Sequence, residues 1–150
     1  MTMQDFSKTI VLECPADEVF KAINNVRGWW QGEIEGRTDK LNEEFTYRME
    51  TMHYSKQRII ELIPNQKIVW LVIESELSFT ENKFEWTGTQ IIFEIVQQDN
   101  LTHLRLTHQG LVPKFECYND CTNGWEMLIQ QSLFSLISRP SKSIFYFWSK

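Results

Sequence analysis

With 150 residues and a formal net charge of -5, the chain has the size of one domain with a real core, able to bury roughly 70% of its unfolded surface. Its charges are scattered and no run of Lys or Arg is present to neutralise successive phosphates, so neither nucleic acid nor an anionic membrane surface is an expected partner. The longest unbroken apolar run, Ile68 to Ile73, falls well short of the roughly 20 residues of a membrane-spanning helix. The opening "MTMQDFSK" shows no basic segment followed by an apolar one, and three cysteines do not pair off into a disulfide framework; the expected compartment is the cytoplasm.

In chain order, Phe6, Ile10 and Leu12 fall at even spacing ahead of Pro15, which predicts a strand. From Pro15 to Asn24 the period changes. Pro15 suits a helix start, Asp17 and Glu18 favour its positive end, and Val19, Phe20 and Ile23 share one side. The stretch "NNVRGWWQG" then sets Trp29 beside Trp30, and neighbouring residues point to different sides of a regular helix or strand. The expectation is a split role, with Trp29 packed under a sheet and Trp30 bordering the following segment as a lid. Residues 31–42, with Gly32, Gly36, Asp39 and Asn42, predict that segment to be a loop.

Strands come next. Phe45, Tyr47 and Met49 alternate with Thr46 and Arg48, "QRIIELI" runs into the turn "PNQ", and "KIVWLVIE" leaves it. Short strands are expected around Leu77–Phe79 and Lys83–Trp86, and "TQIIFEIVQQ" and "THLRLTHQ" form a hairpin about "DNL". After the connection "LVPKFECYNDCTNG", Trp125, Leu128, Ile129, Leu133, Leu136 and Ile137 gather into an arc about 180° wide at helical spacing, predicting a helix over roughly 119–138. Met127 and Phe134 form a second apolar stripe on its opposite side, and Arg139–Pro140 end it. A meander of strands must bury one face, and the terminal helix is the long amphipathic element available to cover it. The aromatic tail beyond, "RPSKSIFYFWSK", needs somewhere to pack.

This order resembles the helix-grip superfamily, also called SRPBCC or START-like, and within it the branch named after the activator of the heat-shock-protein-90 ATPase. The resemblance is carried by "CPADEVFKAINNVRGWW", "RIIELIPNQKIVW", "TGTQIIFEI", "LTHLRLTHQGL" and "NGWEMLIQQSLFSLI", over roughly residues 5–138. It implies an α+β domain in which a curved antiparallel sheet of six to seven strands grips the C-terminal helix, with short helices after the first strand. A cavity between sheet and helix that often holds an apolar ligand is part of the same implication. Members of the superfamily differ in what they do, so the site has to be argued from residues.

His108 shares parity with Leu104 and Leu106 and should face the helix, as a polar handle, a proton acceptor or simply a hydrogen-bonded core histidine. Glu126 and Ser132 fall within the helical arc, as a carboxylate that could act as a base and a hydroxyl that could meet a ligand; solvation and backbone bonding are their ordinary alternatives. Cys117 and Cys121 in "CYNDC" lack the further ligands a zinc site needs, and there is no phosphate loop, nucleophile elbow or HExxH pattern. Neither metal nor cofactor is expected. Phe45, Tyr47, Met49, Trp70, Phe93 and Trp125 are candidate walls, Trp70 with unreadable parity because its strand is apolar on both faces.

The expectation is a domain over 1–138, with the tail 139–150 packing on it or on a partner. It should bind a small hydrophobic or amphipathic molecule through Trp30, Phe45, Tyr47, Met49, Phe93, His108, Trp125, Ile129 and Ser132, in a pocket of about 300 to 1,000 Å³. The alternatives are a chaperone-activator-like interaction module that uses sheet or tail surface rather than a cavity, and a cyclase-like enzyme using His108 or Glu126; separately, a homodimer through Met127, Phe134 and the 140–150 tail is an expected partner arrangement.

Overall fold

The computed structural model describes residues 5–30, 32–78, 80–81, 83–112 and 118–138. Strand β1 (Phe6–Leu12) is followed by helix α1 (Ala16–Asn24) and a 3-10 turn (Val26–Gly28); β2 (Glu33–Gly36), β3 (Glu44–Met49), β4 (His53–Ile63), β5 (Lys67–Leu77), β6 (Gln90–Gln98) and β7 (Leu101–Gln109) come after. Together they make a seven-stranded sheet in the order β1-β7-β6-β5-β4-β3-β2, antiparallel at every pairing. A terminal helical run, α2 (Tyr118–Met127), a π-helical stretch (Leu128–Leu133) and α3 (Phe134–Ser138), lies across it. This is the helix-grip architecture the resemblance implies.

Pro15 stands just outside α1 in an extended conformation, with its carbonyl accepting from the Glu18 amide. The apolar side of α1 buries Val19 and Ile23, packing on β6 and on the end of the terminal helix. In the terminal helix Cys121, Trp125, Leu128, Ile129, Leu133 and Ile137 are buried, while Met127 and Phe134 stay exposed, as the two stripes predict.

The β4–β5 pairing slips at Lys56/Gln57 and at Ile59/Glu61, leaving Ile73 and Ile60 without a partner. Such bulges bend and twist a sheet, and they switch the inward parity of β5: Ser75 and Leu77 face in on one side of Ile73, and Val72, Trp70 and Ile68 on the other. The position of Trp70, unreadable by alternation, is settled by that bulge as fully interior.

Three local expectations are corrected. Within residues 31–42 the chain forms β2, paired with β3 from Glu33↔Arg48 to Gly36↔Phe45. With Ile34 as its one apolar residue it has no period to read; Arg27 Nη2 ties it down by donating to the carbonyls of Ile34 and Gly36 at 3.1 and 3.0 Å. Gly36 has φ +105°, and a Cβ there would strike the Glu44 carbonyl. Second, Lys83–Trp86 is no strand: the described residues between β5 and β6 fold as turns against β5, with isolated backbone bonds such as Leu77 N–H to Lys83 O at 2.8 Å. Phe79 lies outside the described residues. Third, Trp30 is not a surface lid. It is 4% exposed and Trp29 2%, because the 3-10 turn interrupts regular alternation. The amides of both residues bond the single carbonyl of Val26 at 3.2 and 2.9 Å, and both indoles turn inward.

Candidate functional site

Between the sheet and the terminal helix the interior is filled by rings. Trp30 stacks on Tyr47 of β3 with centroids 4.2 Å apart and on Trp70 of β5 at 5.8 Å. Trp29 stacks on both tryptophans and fixes its own indole by donating Nε1–H to the Ile23 carbonyl at 3.2 Å. Phe45 and Phe93 meet Trp70 edge-on at 5.0 and 4.9 Å. These offset and edge-to-face arrangements are the ones aromatic quadrupoles favour.

A cavity of about 110 Å³ remains at one end of this stack. Tyr47, His53 of β4 and Trp30 wall it from the sheet side, Trp86 from the β5–β6 connection, and Cys121, Gly124, Trp125 and Leu128 from the terminal helix. His53 and Gly124 are the half-buried members of this wall, so the mouth lies beside them. A Cβ on Gly124 would meet no atom within 4 Å. A glycine inside a helix weakens it relative to alanine, and here the missing side chain keeps the mouth open.

Trp86 ties the wall to a second layer. It stacks on Trp125 at 6.0 Å and meets His53 and His108 edge-on at 4.5 and 4.7 Å. His108 is fully buried on β7, facing the helix as its parity predicts. Trp125 donates its Nε1–H to His108 Nδ1 at 3.0 Å, so Nε2 carries the ring proton and donates to Thr89 Oγ1 at 2.8 Å. The Thr89 hydroxyl in turn donates a hydrogen bond to the Trp86 carbonyl at 2.6 Å. Both imidazole nitrogens are thereby committed, and burial, with a smaller contribution from His53, pushes the His108 pKa down to about 3. Burial also lowers His53 to about 4 and raises Tyr47 to about 12, the latter opposed by a hydrogen bond from Trp30. At neutral pH the wall carries no charge.

Of the residues singled out from sequence, the structure gathers Trp30, Tyr47 and Trp125 at the cavity and sets His108 directly behind Trp125. Phe45, Phe93, Trp70 and Ile129 are interior but belong to the packed stack and core rather than to the wall. Met49 is half-buried, in register with His53; Ser132 and Glu126 are half-buried on the helix, outside the wall. Sequence reasoning missed His53, Trp86 and Gly124. His53 shares parity with Ser55, Gln57 and Ile59, a signal the polar run around it hides. Cys117 and the tail 139–150 lie outside the described residues. Among the described residues, no three His, Cys, Asp or Glu side chains group as metal ligands, and no helix is long and apolar enough to cross a membrane.

The same fold recurs in solved structures. The Aha1 dimer from Colwellia psychrerythraea is 19% identical, with 91% of this chain and 98% of that one covered and a TM-score of 0.71. MLL2253 from Mesorhizobium loti is 15% identical, covering 89% and 98%, also at 0.71; BH1534 from Bacillus halodurans is 15% identical, covering 91% and 99%, at 0.65. No curated protein matches the chain in sequence. The family description "Activator of Hsp90 ATPase homolog 1-like protein" matches residues 13–137, and the chain belongs to that family.

Proposed function

We propose that the domain binds a small, planar, largely apolar molecule in the cavity beside His53 and Gly124. The observation that carries this reading is the helical glycine whose Cβ would meet nothing, opening onto a wall made mostly of flat rings. The size of the space sets the class of ligand. At about 110 Å³ it falls below the roughly 300 to 1,000 Å³ of drug-sized sites and near the ~150 Å³ of an apolar cavity that takes benzene. A molecule of about one aromatic ring fits that space; a lipid chain does not.

Gly124→Leu tests it by sending a side chain into the mouth. NMR shifts of the Trp30, Trp86 and Trp125 indoles on titration with toluene or phenol are expected in the native protein and absent in Gly124→Leu. Gly124→Ala should raise stability by about 0.5–1 kcal/mol and still bind. Identical titrations in all three proteins would remove the cavity reading. The cyclase alternative has less support, since His108 has both nitrogens engaged and Glu126 stands outside the wall.

A second reading, an interaction module, rests on Met127 and Phe134, 46% and 38% exposed on the outer side of the terminal helix. The related fold from Colwellia psychrerythraea is a dimer, and the aromatic tail begins one residue after α3. Deleting residues 140–150 is expected to lower the melting temperature or shift the sedimentation mass; if neither changes, the tail covers no surface and this reading fails.

A further inference from the structure

Among the described residues the most exposed large apolar side chain is Phe84, at 62%. It stands in the turns between β5 and β6 and borders a groove of about 400 Å³ with Tyr54, Ile73, Glu74, Glu76 and Thr87. Tyr54, Glu74 and Glu76 alternate with the inward Ser55, Ser75 and Leu77, so the groove opens on the outer side of the sheet, away from the gripped helix. Its lining holds two carboxylates and no cation. Tyr54 donates to Glu74 Oε1 at 3.0 Å and takes Arg48 over its ring at 4.6 Å, while Lys56, opposite Glu74 in register, pairs with Glu44 at 3.4 Å. Among the described residues neither Glu74 nor Glu76 forms an ion pair. In the stretch 74–86 Glu81 and Glu85 add to the same negative field, against Lys83. A groove with an exposed ring on its rim is a candidate docking surface, and this one is acidic.

Charge complementarity names an occupant within this chain. Residues 139–150, "RPSKSIFYFWSK", carry Arg139, Lys142 and Lys150 and no acidic residue, around the apolar and aromatic run from Ile144 to Trp148. The stripe of Met127 and Phe134 offers that segment apolar contact, but residues 127–138 hold no carboxylate to meet its cations; the Phe84 groove offers both. Exposed ion pairs are each worth little, so burial of rings supplies the affinity and the opposite charges select the partner.

We infer that the Phe84–Glu74–Glu76 groove receives the 139–150 segment of a second copy, making a reciprocal dimer in which each chain gives its tail and takes the other's. Reach argues against docking within one copy. Leu136 and Ile137, at the end of α3, share a hollow with Ala22 and Asn25 of α1, and Asn24 and Asn25 share the next with Pro64 and Asn65 of the β4–β5 turn. From Asn65 to Glu74 the chain of β5 covers about 30 Å at ~3.3 Å per residue. The tail spans at most about 40 Å when fully extended, and it has to round the sheet to the opposite face, so its rings do not reach the groove. A second copy related by a two-fold axis has no such limit, and the contact is then self-complementary. None of the groove residues walls the cavity, and the helix stripe takes no part, so the inference goes beyond both readings above and fails or stands apart from them.

Sedimentation of the full chain is the test. The native protein is expected to be a dimer that loosens as salt is raised. Glu74→Lys with Glu76→Lys in one variant, and Arg139→Glu with Lys142→Glu in another, should each weaken the dimer at least about tenfold, since like charges then face each other. Phe84→Ser should weaken it too. Mixing the two charge-reversed variants should restore a dimer, because the reversed groove of one then meets the reversed tail of the other, and the native groove meets the native tail. A native monomer overturns the inference, and so does a mixture that stays monomeric, the result that docking within one copy would give. A dimer that survives both charge reversals but falls apart in Met127→Lys with Phe134→Lys overturns it as well, and moves the contact to the terminal helix.

Discussion

Trp70→Ala is expected to destabilise the domain by about 3–5 kcal/mol, the range for removing a large ring from a packed core. Trp70 has no exposed surface and touches every part of the ring stack: Trp29 and Trp30 face-on at 6.3 and 5.8 Å, Phe45 and Phe93 edge-on at 5.0 and 4.9 Å. Because domains are stable by only about 5–15 kcal/mol in total, this loss should leave the variant marginal at 25 °C. Trp70→Phe separates packing from polarity. The indole N–H of Trp70 has no partner, so replacing it forfeits no hydrogen bond, and a cost below about 1.5 kcal/mol is expected for a partly volume-conserving exchange. Urea unfolding curves measure both variants. A Trp70→Ala cost under about 1 kcal/mol would mean the stack is loosely packed, and the cavity much larger than its wall geometry gives.

That ring stack also marks the limit of what was legible in the sequence. Where one face of a strand is buried and the other is wet, parity alone placed side chains correctly: Leu104, Leu106 and His108 face in, and Arg105 faces out. The same held for the helical arc from Trp125 to Ile137. Parity failed where a bulge resets it. The extra residue Ile73 leaves no mark in the run Ile68 to Ile73, which is apolar throughout, so the inward turn of Trp70 depends on pairing that only the assembled sheet defines. β2 is held by Arg27 and by its neighbour β3 rather than by any pattern of its own. Trp29 and Trp30 both face inward because a 3-10 turn, not a helix or a strand, precedes them.

The candidate site was only partly legible for the same reason. Tyr47 and Trp125 follow from alternation and helical period. Trp86 comes from a segment of turns, and Gly124 contributes by lacking a side chain, which hydrophobic periodicity does not register. The expectation of a pocket of several hundred cubic ångströms failed on volume. Trp29, Trp30, Trp70, Phe45 and Phe93 all point into the space that a larger ligand would need.

Acid is expected to unfold the protein well before its carboxylates are neutralised, and His108 and His53 are the cause. Both have folded pKa values, about 3 and about 4, below the ~6.5 of an unfolded histidine. Between these limits the unfolded chain binds protons that the folded chain refuses, so stability is complete above about pH 6.5 and falls as pH drops. Each histidine contributes a slope of up to about 1.4 kcal/mol per pH unit, and at pH 5 each has removed about 2 kcal/mol relative to pH 7. His53 stops contributing near pH 4, where it protonates in the folded state. His108 continues toward pH 3, because burial, with a smaller contribution from His53, disfavours its charged form. Glu44, held below the usual carboxylate range mainly by its hydrogen bond with Arg58, acts in the same direction only below its ordinary value of 4.5. Urea titrations at pH 7, 6 and 5 should show this loss in the native protein. His108→Gln is expected to be less stable at pH 7 by about 1–3 kcal/mol, because the Trp125 and Thr89 partners are then poorly matched, yet to lose roughly half as much further stability on going to pH 5. His53→Phe should halve the loss as well. Equal losses in all three proteins would show that neither ring is kept neutral by the fold, and would undo the fixed tautomer on which the Trp125–His108–Thr89 chain depends.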